Sequence, residues 1–425
     1  MSKNTTEMPE FSAFALDQNL LRVLDDIGFQ QCTPIQAACL PLALQGKDIA
    51  GQAQTGTGKT AAFLLAAFHH LLKNKPPNKE TTLRALVIAP TRELAIQIHK
   101  DAEVFNRYCN LKTALVYGGV DYEKQRASLA DGVDILIGTP GRLIDYFKQK
   151  VFKFKDVEIV ILDEADRMFD LGFISDIRFM LRRMPKPEQR MNMLFSATLS
   201  HRVMELAYEH MNSPELIKIN PEQVTADKVS QVLYHVANEE KIPLLIGMLK
   251  KIDPTRTIVF VNTKRAAEKV WSYLEGNEIH AAILSGDVPQ KKRQRLFNEF
   301  STGDLKVLVA TDLAARGLHI PEVSHVFNYD LPQNAEDYVH RIGRTARAGA
   351  SGDAVSFGCE EFIYSLMDIE VLIGYPLPVK SITEDLLIEP APPVKRLHHK
   401  QQGHKKKSKG GSSRPRRPSR RQERT

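Results

Sequence analysis

Short apolar runs rich in β-branched residues alternate with longer stretches of helical spacing along most of the chain. In the first half they fall at residues 85–89, 134–138, 158–162 and 192–196; in the second half at 257–262, 280–285, 306–310, 325–329 and 353–358. Runs this uniformly apolar, separated by helix-length segments, predict strands buried on both faces and joined by crossover helices, the βαβ pattern of a parallel sheet. Two series of runs predict two α/β domains. Between them residues 220–228, NPEQVTADK, are polar and follow neither period, which predicts a linker. The expected organisation is a first domain over 1–219, the linker over 220–228 and a second domain over 229–388.

A chain of 425 residues exceeds the size at which one hydrophobic core usually stops growing, in agreement with two domains. No apolar run approaches the roughly 20 residues needed to span a bilayer, which excludes an integral helical membrane protein. The opening residues, MSKNTTEMPEFSAF, lack the basic start, apolar stretch and small-residue cleavage site of a secretory signal, so a cytoplasmic location is expected. Cys32, Cys39, Cys109 and Cys359 are too scattered for a zinc or redox centre and read as buried free thiols. Charge changes the picture more. Residues 395–425 hold 13 Lys or Arg and one acid, a tail of +12 that leaves −5 for the rest of a chain whose total is +7. With almost no apolar side chains this tail cannot offset its ordering entropy and should be disordered, its cations free to bind RNA phosphates. The preceding residues 389–394, EPAPPV, read as a semi-rigid spacer, so the tail is expected to leave the second domain at 389.

Three strings carry chemistry. Residues 53–60, AQTGTGKT, open a loop just before an apolar helical stretch and resemble a phosphate-binding loop. Glycines let the backbone N–H groups of Ala53, Gln54, Thr55, Gly56, Thr57 and Gly58 close around phosphates at a helix N-terminus, with Lys59 on the terminal phosphates and Thr60 on Mg²⁺. The run EIVIL ends in Asp163-Glu164-Ala165-Asp166, two adjacent carboxylates at a buried strand's C-terminal end, where ligands of parallel sheets bind. That placement fits metal binding by Asp163 and water activation by Glu164. Residues 338–347, YVHRIGRTAR, crowd three arginines together; Arg344 and Arg347 share a helix face and could act as fingers across a domain cleft.

In this order the strings resemble the DEAD-box family of ATP-dependent RNA helicases, and the resemblance runs from Phe11 to Gly358. It implies two tandem RecA-like parallel-sheet domains, ATP and Mg²⁺ as cofactors, and non-processive unwinding of short RNA duplexes by ATP-driven closure. The alternative within the same fold is an RNA clamp or annealing scaffold with little turnover. The resemblance further implies adenine recognition by Phe29, Thr33 and Gln36 in GFQQCTPIQ, with Phe11 stacking, Asp312 on the ribose, Gly317 near the nucleotide, and Ser196-Ala197-Thr198 coupling hydrolysis to strand separation. Implied RNA contacts are Pro90, Thr91, Arg92, Glu93, Gly118, Gly119, Thr139, Pro140, Gly141 and Arg142 in the first domain, and Asn262, Thr263, Gln290, Arg293 and Thr311 in the second. These glycines, hydroxyls and arginines suit backbone contacts rather than base edges, so binding should be sequence-independent. Two departures stand out: Ala346 replaces a usual glycine, and His319 a common aspartate. Segments such as DEADRMFDLGFISDIRFMLRRMP resemble the bacterial members of the family that serve the RNA degradosome, which implies an endoribonuclease E scaffold as partner.

Overall fold

The structure is a computed structural model that describes residues 8–394 apart from 54–55, 75–82, 220–228, 287, 316–322 and 346–351; the side chains of 290 and 291 are also outside the description. The expected linker and the basic tail therefore lie outside the described residues, as do Gln54, Thr55, Gly317, His319, Ala346 and Arg347.

Two parallel sheets form, as the alternation of runs predicts. The first comprises β1 (Ile49–Gln52), β2 (Ala85–Ile88), β3 (Thr113–Val116), β4 (Ile135–Gly138), β5 (Ile159–Leu162), β6 (Met191–Ser196) and β7 (Glu215–Lys218), in the order β3-β4-β2-β5-β6-β1-β7. The second comprises β8 (Val229–His235), β9 (Thr257–Val261), β10 (Ala281–Leu284), β11 (Val307–Thr311), β12 (His325–Asn328) and β13 (Gly352–Gly358), in the order β10-β11-β9-β12-β13-β8.

Each strand's period of two divides its side chains between the sheet faces. Ala85, Val87, Ile135, Ile137, Ile159 and Ile161 pack with Phe63 and Phe68 on one face. Their neighbours Leu86, Ile88, Leu136, Val160 and Leu162 pack with Leu143 and Tyr146 on the other. The second sheet repeats the scheme, with Val259, Val309 and Phe327 on one side and Ile258, Leu308 and Val326 on the other. Because every strand is parallel, all C-terminal ends of a sheet share one edge, and the motif loops after β1, β2, β5, β6, β9 and β11 gather there.

One expectation about the second domain is corrected. Residues 389–394 are not a free spacer: Ala391 N donates to Asn277 Oδ1 at 2.9 Å and Val394 N to Ser272 O at 3.0 Å. The whole segment after the Leu366–Ile373 helix straps the domain. Lys380 N donates to Leu233 O at 2.9 Å and Leu233 N to Pro378 O at 2.8 Å, which covers the open edge of β8. Leu377 and Leu386 are buried, and the Leu386 carbonyl lies against Gly247, where no side chain stands in the way. Proline content suggested stiffness correctly, but the docking depends on gaps at Gly247 and Gly276 contributed by other elements.

Candidate active site

The first sheet presents a phosphate cradle. Gly58 adopts φ 91° and ψ 16°, a left-handed turn open to glycine, and begins the Lys59–Lys73 helix, whose first N–H groups face the cleft. A Cβ at Gly58 would stand 2.5 Å from Gln36 Nε2. Gln36 ties two pieces together: its Oε1 accepts from Thr33 N at 2.8 Å and its Nε2 donates to Gly58 O at 3.1 Å. Ala53 N donates to Ser196 O at 3.0 Å, which sets the start of the loop against β6.

Lys59 is 5% exposed, and its Nζ lies 3.4 Å from Asp163 Oδ1 at the end of β5. Burial alone would discharge the amine, but the carboxylates of Asp163, Glu164 and Asp166 outweigh it and raise its pKa, so it stays an ammonium. The two adjacent acids are pushed apart. Burial drives the Asp163 carboxyl up against the pull of Lys59. At Glu164 the same burial is overcome by Arg167, Lys59, Arg344 and His340, which hold it below the usual range. Glu164 sits at φ 52°, ψ 55°, a left-handed conformation that costs a non-glycine residue about 1–3 kcal/mol. Its Oε2 lies 3.5 Å from Arg167 Nε and accepts no hydrogen bond among the described residues. An aimed, charged, under-used carboxylate held in a strained turn is what a reacting water or a hydrated ion would complete. Asp166 N donates to Ser196 Oγ at 3.3 Å, so Ser196 joins β6 to the acidic turn, with Ala197 and Thr198 following it half-buried.

The second domain closes this cradle. Arg344, 4% exposed, lines the same cleft as Gly56, Gly58, Lys59, Thr60, Asp163 and Glu164, a cavity of about 890 Å³. Two further contacts cross between the domains: Arg293 Nη1 to Glu93 Oε1 at 3.2 Å, and His340 Nε2 to Asp166 Oδ2 at 4.0 Å. A triphosphate with Mg²⁺ fits this donor set, because Thr60 and Asp163 are the hydroxyl and carboxylate an octahedral ion uses alongside phosphate oxygens.

Several side chains have partners that sequence did not reveal. Phe11 is 2% exposed within the first core, and its N donates to Gln30 O; the ring lining the cleft is Phe29, 45% exposed. Asp312, expected on the ribose, has both oxygens 2.7 Å from Arg341, from Nε and Nη2. Arg341 is the hub of the second domain: it also donates to Asn262 Oδ1 at 2.9 Å and to Asp330 O. The signal for Arg341 lay in the same arginine-rich string, but only the fold shows that it faces inward. Asn262 is engaged through its backbone N and its amide as well, donating to Asp330 Oδ2 and Leu331 O.

Along the remaining motifs, Thr91 and Thr263 cap equivalent helices, accepting from Leu94 N and Ala266 N. Arg92 lies over Gly119, at φ 84°, and beside Gly118. Arg142 stands over the rings of Tyr122 and Tyr146, 5.0 and 5.3 Å from their centroids, and Thr139 and Pro140 open its helix with Gly141 facing open space. Pro90 and Thr311 are buried at strand ends. Gln290 begins the Gln290–Thr302 helix. Thr57 sits in the loop between the two glycines of the cradle. A further wall was not anticipated: Leu94, Gln97, Asp101, Val104 and Phe105 line the cleft from the Arg92–Phe105 helix. Their spacing is that of one helix face, a signal indistinguishable in sequence from ordinary core packing.

Two parallel sheets sharing one phosphate cleft define a two-domain nucleotide-driven motor. Residues 33–206 match the DEAD/DEAH box helicase family and residues 240–349 the helicase conserved C-terminal domain. The chain belongs to the DEAD/DEAH box helicases and is an ATP-dependent RNA helicase. Within that family it is similar to ATP-dependent RNA helicase RhlB of Shewanella piezotolerans, 53% identical over 414 residues that span 97% of this chain and 95% of the relative. Among solved structures, Dbp5 of S. cerevisiae bound to RNA and ADP BeF3 is 30% identical over 88% of this chain and 96% of its own, with a TM-score of 0.77. A variant of the same yeast protein bound to nup159, gle1, ip6 and adp is 28% identical over 87% of this chain and 96% of its own, with a TM-score of 0.61. Among the described residues no helix is long and apolar enough to cross a membrane.

Proposed function

We propose that this helicase separates short RNA duplexes non-processively, by closing its two domains around ATP and RNA and reopening after hydrolysis. The observation that carries the reading is the single cleft lined by Lys59, Asp163 and Glu164 of one sheet and Arg344 of the other. The better match to the yeast relative bound to RNA and ADP BeF3 than to the complex lacking RNA, 0.77 against 0.61, supports this as a closed arrangement. In the proposed site the N-terminus of the Lys59–Lys73 helix and Lys59 bind phosphates, and Thr60 and Asp163 hold Mg²⁺, which would neutralise charge developing on the phosphate oxygens. Glu164 orients the attacking water and takes its proton; Arg344, with Arg347 outside the described residues, faces the transferring phosphate. Phe29, Thr33 and Gln36 bind the base. Arg92, Gly118, Gly119, Arg142, Thr263 and Arg293 grip one RNA strand by its backbone, and the tail over 395–425 adds sequence-independent affinity. The test is Glu164→Gln: ATP-dependent RNA binding should persist while turnover falls about 10²-fold or more. Wild-type turnover in that variant would remove Glu164 from the chemistry.

The physiological setting we infer is cytoplasmic RNA decay, with the second domain docked on an endoribonuclease E scaffold. The surface that supports this is the Leu366–Ile373 helix, where Met367 and Val371 are 72% and 77% exposed and Tyr364 and Leu372 extend the patch. A cleft of about 450 Å³ beside it is lined by Glu336, Asp368, Val371 and Leu372. Residues 359–375 carry four acids and no Lys or Arg, so the surface suits an apolar segment flanked by cations. Met367→Asp with Val371→Asp should abolish binding of a scaffold fragment in calorimetry; undiminished binding would move the partner elsewhere.

A further inference from the structure

The nucleotide cleft does not end at Gln36. It continues between residues 27–31 and the Arg92–Phe105 helix, which turns Leu94, Gln97, Asp101 and Val104 toward it. This part of the cleft is polar as well as apolar, and the residues already assigned to the base leave part of that polarity unexplained.

Gln36 is largely committed within the protein. Its carbonyl oxygen accepts from Thr33 N and its amide nitrogen donates to Gly58 O, which leaves one lone pair and one N–H. A purine edge offers more groups than that. Across the cleft, Gln97 Nε2 donates to Asp101 Oδ1 at 2.9 Å, one helical turn apart on the same face. That bond fixes the carboxylate and turns acceptors toward the cleft: the second Asp101 oxygen and the Gln97 carbonyl. Among the described residues no Lys or Arg forms a salt bridge with Asp101, so the carboxylate is not already neutralised by an ion pair. It is partly withdrawn from water, and burial pushes its pKa up to about 6, against the Gln97 hydrogen bond and Lys100. A half-desolvated acceptor pair on the wall of a base pocket suits a donor on the ligand.

We propose that Asp101, positioned by Gln97, reads the exocyclic amino group of the base and so selects 6-amino over 6-oxo purine nucleotides. A 6-amino group donates to the carboxylate; a 6-oxo group in the same place sets acceptor against acceptor, and the mismatch costs more than the match gains. Phe29 supplies an exposed ring at the same end of the cleft, which orients the base without distinguishing one purine from another. The inference rests on the assignment of this cleft to ATP.

The experiment compares RNA-stimulated hydrolysis of ATP and of inosine triphosphate, which differs at this position by oxo for amino, using the full chain and Asp101→Asn. The variant places an N–H₂ donor where the carboxylate oxygen stood. Its preference for ATP over inosine triphosphate, as a ratio of kcat/KM, should fall about tenfold or more, with KM for ATP rising. Asp101→Ser, which shortens the group without adding an amide donor, should fall between the wild type and Asp101→Asn. An unchanged ratio in both variants overturns the proposal. Lys59→Ala separates the two levels: if it abolishes turnover of both nucleotides while Asp101→Asn leaves the ratio unmoved, the base-reading inference fails and the site stands. If Lys59→Ala leaves turnover intact, the site assignment itself fails.

Discussion

At the scale of single residues, two buried features invite measurement. Arg341 is 1% exposed and serves Asp312, Asn262 and Asp330 together, so its removal strands acceptors that no other side chain reaches. Breaking a buried ion pair by deleting one partner typically costs about 3–5 kcal/mol. Arg341→Met should therefore lower the stability of the second domain by an amount in that range, read in chemical unfolding. A shift below about 1 kcal/mol would mean that Asp312 finds other partners. The thiols give a pH dependence. Burial pushes Cys32 and Cys109 up to about 11 and Cys39 up to about 12, from 9.0. A group that stays protonated in the folded state while ionising when unfolded favours folding below pH 9 and loses that contribution as pH rises toward 11–12. Labelling of these three by iodoacetamide at about pH 8 should therefore proceed only as fast as the chain opens, and added denaturant should accelerate it steeply.

Elements show a dependence between parts distant in sequence. The strap over residues 376–394 covers β8 and lies on two helices, and its carbonyls use the missing side chains of Gly247 and Gly276. A Cβ at Gly247 would collide with the Leu386 carbonyl, which is backbone and cannot rotate away. Gly247→Ala should cost about 1–3 kcal/mol by overpacking. The same change should raise hydrogen exchange at Leu233 and Lys380, whose amides bond across that junction. Unaltered exchange there would show that the strap is held by its other bonds.

For the whole molecule, charge and closure are separable. The tail's 13 cations lie beyond Val394, which is anchored to Ser272, so they are tethered to the second domain at a defined point. Each phosphate neutralised on a single strand adds about 0.7 to the steepness with which log affinity falls against log salt. Removing residues 395–425 should flatten the salt dependence of RNA affinity by several times that amount while leaving hydrolysis at saturating RNA largely intact. An unchanged slope would take the tail out of the RNA site. The Glu93–Arg293 pair, by contrast, belongs to closure. Both residues were expected on RNA, and the structure sets them against one another across the domains.

Sequence by itself determined the architecture and the family. Alternating apolar runs sufficed for two parallel sheets, because strands buried on both faces leave little choice of residue, and Lys59, Asp163 and Glu164 were legible because phosphate chemistry admits few substitutes. Short strands were harder: β1 and β7 have four residues each, and β7 is mostly exposed, so neither carries a periodic signal. Which arginine faces the cleft and which the core, Arg344 or Arg341, depended on how the Ala335–Ile342 helix seats on its sheet. Phe11 and Phe29 divide in the same way, one in the core and one in the cleft, though each is an aromatic ring in a plausible place. The Asp101–Gln97 wall and the docked strap were decided by tertiary structure alone, since both arise where segments far apart in sequence meet, and local spacing does not encode what lies opposite a helix face.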